Sequence, residues 1–105
     1  MSKSSAARDR IPNPTPGEIL LREFIGPMKL TRSSVARAID VRSRRINEIV
    51  LGRRSITADT DLRLARYFGL SDGFWLGIQA DFDLMERKRL IGPELQRILP
   101  RADAA

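Results

Sequence analysis

The 105-residue chain contains no cysteine and no histidine. The first absence excludes a disulfide framework, a thiolate nucleophile and a thiolate metal site. The second removes the commonest metal ligand and the side chain most often used as a general base near neutral pH. Neither a metal nor another cofactor is expected. The 13 acidic residues are dispersed, each close to a basic residue or a helix start, where a solvated surface role is the usual one. No catalytic residue is assigned, and the chain does not read as an enzyme. Apolar runs are short as well: none approaches the roughly 20 residues of a membrane span, and the first residues lack the apolar core of a secretory signal. A cytoplasmic protein without membrane attachment is expected. Strand alternation, internal repeats and low-complexity blocks are missing too, which leaves an all-α fold.

What is present is one domain's worth of sequence, with 42% apolar and 30% charged residues. The net charge of +6 is unevenly placed. Between Lys29 and Arg54 stand eight basic residues (Lys29, Arg32, Arg37, Arg42, Arg44, Arg45, Arg53, Arg54) against two acids, Asp40 and Glu48. That local excess equals the charge of the whole chain, so the positive field is gathered on one segment, and a phosphate backbone suits it best.

Residues 1–13, rich in Ser, Arg and Lys, read as a disordered arm. A folded domain over 14–89 follows, and 90–105 form a tail. Helix 1 is expected from Thr15-Pro16-Gly17-Glu18, a capping box with proline at the first helical position, to about Ile25. Leu20, Leu21, Phe24 and Met28 form its buried side, and Gly26-Pro27 stops it. Helix 2 starts at a Thr31 cap and buries Val35, Ala36 and Ile39. Helix 3 covers about Arg42 to Leu51, with Ile46, Ile49 and Val50 inward and Gly52 at its end. Helix 4 begins at a Thr57 cap with Asp59 in its first turn. It runs to about Phe68, with Leu62, Leu64, Ala65 and Phe68 as its core stripe. Ser71 and Asp72 open helix 5. Gly92-Pro93 then separates Leu95, Ile98 and Leu99, either a short sixth helix or a tail that orders only against another chain.

Helices 2 and 3, short, amphipathic and joined by a tight turn, make a helix-turn-helix. Its third helix is the candidate reader of double-stranded DNA. Ser43, Arg44, Asn47 and Glu48 lie on or near its outer face as candidate base contacts, Arg44 matching guanine, Asn47 adenine and Ser43 either. Arg32, Arg42, Arg45, Arg53 and Arg54 are placed to hold phosphates on either side of the groove. Phe74, Trp75, Ile78, Phe82 and Met85 make helix 5 unusually apolar. An aromatic such as Trp75 is more often core, but part of this face is a candidate dimer interface.

Four blocks carry a family resemblance: Pro16-Gly17-Glu18-Ile19-Leu20; Ile46-Asn47-Glu48-Ile49-Val50 with Gly52; Ile56-Thr57-Ala58-Asp59-Thr60 with Leu62-Arg63-Leu64-Ala65; and Phe74-Trp75-Leu76. Over about residues 14–87 the chain resembles the HigA antitoxins, a branch of the Cro/C1-type (Xre) helix-turn-helix proteins. The resemblance implies a compact five-helix domain that dimerises through its C-terminal region and binds a palindromic operator in its own promoter. It also implies neutralisation, by protein contact, of a HigB toxin, a RelE-like ribonuclease. Two positions depart from the family pattern. Asp40 stands where glycine is usual in the turn, and Arg42 replaces the usual hydroxyl residue before the recognition helix, leaving Ser43 or Asp40 to cap. The helix-turn-helix taken alone suits equally a stand-alone regulator without a toxin. A protein-interaction module with a vestigial DNA face is the reading from another class.

Overall fold

A computed structural model describes residues 11–102; residues 1–10 of the arm expected over 1–13, and the last three residues, lie outside the described part. The architecture is five helices without strands among those residues: α1 (Pro16–Ile19) continued by a π-helical stretch (Leu20–Ile25), α2 (Arg32–Ala38), α3 (Ser43–Val50), α4 (Ala58–Phe68) and α5 (Phe74–Gln96).

Helix α1 starts as its residues dictate. The Glu18 amide donates to the Thr15 hydroxyl at 3.1 Å, and the Thr15 amide donates to the Glu18 carboxylate at 2.9 Å. The turns that follow widen to π geometry. In a π turn residues five apart share a face, so Leu20 and Ile25 both enter the core. Ile25 thereby takes the place expected for Met28, which is 51% exposed beyond the reversal at Gly26-Pro27. Leu21 and Phe24 pack at the core's edge.

The core gathers Leu20, Val35, Ala36, Ile46, Ile49, Leu64, Ala65 and Trp75, so every helix contributes to it. Full burial of each large aliphatic side chain stabilises by about 1.5–3 kcal/mol. Helices α1 and α3 approach so closely that a methyl group on Gly17 would lie 1.7 Å from the Ile49 carbonyl oxygen. Only glycine fits there.

In α4 the buried stripe is Thr60, Asp61, Leu64 and Ala65, whereas Leu62, expected in the core, is 49% exposed. Asp61 takes the inward position because the start of α5 demands it. Its carboxylate accepts the amides of Gly73 and Trp75, both at 2.7 Å, and that of Leu76 at 3.1 Å. Without Asp61 those first amides would be orphaned, because the N-cap residue of α5 is Gly73 and offers no side chain. Trp75 lies directly beneath this cap, fully buried against Phe24, Phe68 and Phe74.

Helix α5 extends past the expected divide, through the charged residues 86–89 and across Gly92-Pro93. The backbone breaks only at Ile91 (φ −114°, ψ 20°), where the helix resumes at Pro93. The expected boundary at residue 89 thus falls inside a helix. Proline is tolerated because it sits at the first turn of the resumed segment, where its missing amide has no helical partner to lose. Residues 11–13, assigned to the arm, lie along α5: the Asn13 amide donates to the Phe82 carbonyl at 3.1 Å and to Glu86 at 2.9 Å, and Arg89 donates to the Ile11 carbonyl. The far half of α5 leaves the body, and the radius of gyration, 17.4 Å, exceeds the ~13 Å of a compact domain of this length.

Candidate nucleic-acid interface

The interface is built by α2, the turn and α3. Thr31 and Ser34 cap α2 reciprocally, their side chains and amides exchanging two hydrogen bonds of 3.0 Å. The helix ends in a Schellman motif, with the Val41 amide on the Ala36 carbonyl (2.9 Å) and the Asp40 amide on the Arg37 carbonyl (3.2 Å). Asp40 therefore takes the left-handed conformation, φ +60°, that glycine would take freely. The cost is on the order of 1 kcal/mol. Arg63, reaching over from α4, donates to the carbonyls of Ile39 (2.8 Å) and Asp40 (3.2 Å) and fixes the turn.

Helix α3 begins at Ser43, one residue later than expected, with Arg42 as its N-cap residue. Neither Ser43 nor Asp40 caps it, and no side chain accepts its first amides. Its far end closes on a second Schellman motif at Gly52, φ +75°, with the Arg53 amide on the Glu48 carbonyl at 2.8 Å.

Ser43, Arg44 and Asn47 are exposed on the outer face of α3, opposite buried Ile46, Ile49 and Val50. Asp40, Val41, Arg42, Arg44, Arg45 and Arg54 line a shallow concavity at its N-terminal end. The candidate arginines divide into two groups. For Arg32, Arg42 and Arg53 no ion pair is formed among the described residues. Arg44, Arg45 and Arg54 are held by carboxylates. Glu48 accepts Arg44 Nε at 2.8 Å through one oxygen and Arg54 Nη2 and Nε at 2.7 and 2.9 Å through the other. Asp59 accepts Arg45 at 2.6 Å and Arg63 at 2.9 Å through a single oxygen. These hydrogen bonds, Arg44's before Arg54's, hold the Glu48 carboxyl below its ordinary pKa, and Glu48 in turn raises that of Arg44. Arg45, then Arg63, lowers that of Asp59.

Asp59 and Arg63 form a brace absent from the site residues read in the sequence. It ties α3, through Arg45, to the turn, through Arg63. The i,i+4 spacing of Asp59 and Arg63 was its only visible sign. Trp75 is corrected from a candidate interface residue to a core residue: it is fully buried, so a second chain cannot reach it. Ile78 and Phe82 are part-buried, while Phe74 and Met85 are exposed on α5.

A helix-turn-helix family model matches residues 21–75. The chain belongs to the helix-turn-helix family, in its HigA-like branch. Antitoxin HigA-1 of Vibrio cholerae is 31% identical over 84 residues, spanning 80% of this chain and 79% of that protein. Virulence-associated protein I of Dichelobacter nodosus is 48% identical over 79 residues, 75% of this chain and 73% of the relative. Among solved structures, Pseudomonas aeruginosa antitoxin HigA with the higBA promoter superposes with a TM-score of 0.79 at 34% identity, covering 85% of this helix-turn-helix chain and 98% of the other. Among the described residues no helix is long and apolar enough to cross a membrane.

Proposed function

We propose that this HigA-like protein is a sequence-specific DNA-binding antitoxin that represses its own operon and neutralises a HigB-like (RelE-like) toxin by protein contact. The observation that carries the DNA half is the outer face of α3. It presents Ser43, Arg44 and Asn47 to solvent, with Arg42 before the helix and Arg53 after it free of carboxylate partners among the described residues, and with helix amides that no side chain accepts. Base-edge donors, phosphate anchors and an anion-favouring helix start meet on one surface. The solved neighbour whose fold this chain shares is the antitoxin HigA of Pseudomonas aeruginosa with the higBA promoter, which supports the same reading. A homodimer joined through α5 would present two such surfaces to a palindromic site. The antitoxin half rests on the likeness to HigA proteins.

Growth of cells expressing the adjacent gene tests that half, alone and with this protein supplied from an unrelated promoter, as the natural form and as Arg44→Ala/Arg53→Ala. Rescue by both forms is expected, because neutralisation by protein contact does not need the DNA face. A harmless neighbour, or toxicity that neither form relieves, would leave a stand-alone regulator as the better account.

A further inference from the structure

We infer that Glu48 is a positioning residue for base recognition, dividing the two arginines it holds into a base reader, Arg44, and a phosphate anchor, Arg54. This rests on the reading of α3 as a DNA-recognition helix. The argument is geometric. Arg44 engages Glu48 through Nε alone, at 2.8 Å. Its two terminal amino groups, the end-on fork that matches the paired acceptors of guanine, have no partner among the described residues. Its side chain is 83% exposed, so nothing but Glu48 restrains it. Arg54 is held differently: Nε and Nη2 both point to one Glu48 oxygen, at 2.9 and 2.7 Å, which consumes its side-on edge. Its end-on fork stays open as well, but Arg54 stands in the loop beyond Gly52, off the helix that carries Ser43, Arg44 and Asn47, and is placed there for a phosphate and not for a base edge.

Glu48 is suited to this work. It sits one turn after Arg44 on the same helix, and its side chain is only 25% exposed, wedged between the two arginines. Both its oxygens are already turned to arginines, which makes it a weaker candidate for the direct base contact expected of it from sequence. An arginine fixed before binding loses less side-chain entropy when it docks, and a carboxylate near the groove penalises wrong complexes through repulsion of phosphates. Both effects favour discrimination over raw affinity.

The test is selection from a random-sequence DNA duplex pool by the full chain in its natural form and as Glu48→Ala, Glu48→Gln, Arg44→Ala and Arg44→Ala/Glu48→Ala, with far-ultraviolet circular dichroism to show that each folds. Glu48→Ala is expected to relax preference about ten-fold at the same base pair that Arg44→Ala relaxes, within what a bidentate arginine contact contributes. Glu48→Gln, which keeps an acceptor for Arg44, should retain part of that preference, and the double variant should lose no more than Arg44→Ala alone. Loss of preference at a different base pair, or additive losses in the double variant, would show that Glu48 touches a base itself and would overturn the inference. Unchanged preference in Glu48→Ala would overturn it too. If the natural form selects no sequence, the DNA reading falls and the inference with it.

Discussion

At the scale of single residues, the helix-turn-helix is held by side chains whose value lies in what they accept. Asp61 satisfies three amides at the start of α5 and is itself buried. Asp61→Ala leaves buried donors unpaired and is expected to cost more than about 2 kcal/mol, read as a lower urea midpoint with unchanged slope. Asn, which keeps one acceptor oxygen, should recover part of the loss. Arg53 differs in kind, standing exposed after Gly52 with no ion pair among the described residues. Arg53→Ala should weaken binding to all duplexes alike and reduce the salt dependence by about one phosphate contact, whereas Arg44→Ala should cost on the order of 1–3 kcal/mol at one base pair. Fluorescence anisotropy across a salt series separates the two. Trp75 shows how a buried cap fixes a side chain: the sequence favours core for such an aromatic while leaving it on a candidate interface face, and the Asp61 cap above it holds it inside.

At the scale of elements, the angle of α3 is set from two sides. Gly17 lets α1 press its backbone against the last turn of α3, and Gly17→Ala, with a methyl group 1.7 Å from the Ile49 carbonyl, must push the helices apart. A loss of about 2 kcal/mol or more is expected on thermal or urea unfolding, together with weaker DNA binding although residue 17 lies off the reading face. The other side is the Asp59 brace. Asp59 and Glu48 both titrate below their ordinary ranges, so their contribution is fully present above the unfolded-state pKa and fades as pH falls through the lower folded-state value. Both braces should therefore be intact at pH 5 and be lost only in more acidic solution. Carboxyl carbon NMR should show Glu48 and Asp59 titrating below the usual ranges; titration at or above them would refute the ion pairing. The capping residues Thr15, Thr31 and Thr57, and Gly52 at the end of α3, were readable because caps act over three or four residues. The π turn after α1 was not, because it is chosen by which of Ile25 and Met28 finds space in the core.

At the scale of the whole molecule, α5 leaves Leu84 (60% exposed), Leu90 (68%) and Met85 (41%) uncovered beyond the body. In the proposed dimer these residues meet a second copy. Leu84→Glu/Leu90→Glu should then sediment as a folded monomer and bind only a half-site, while the natural chain protects two half-sites one turn of DNA, about 34 Å, apart. A variant that stays dimeric would move the interface elsewhere on the protein.

Sequence by itself determined the helical class, the order of the five helices, the position of the turn and the concentration of positive charge on one segment. These follow from periodicity, capping and composition, which act between near neighbours. Tertiary structure alone decided that Asp61 would be buried and Leu62 exposed, that Trp75 would be shut off from any second chain, and that α5 would continue across Gly92-Pro93. It alone showed that half of the candidate DNA-contacting arginines are held by Glu48 and Asp59. Each of those outcomes depends on residues brought together from different helices or turns, and the satisfaction of buried amides and the pairing of charges in space leave no periodic trace along the chain.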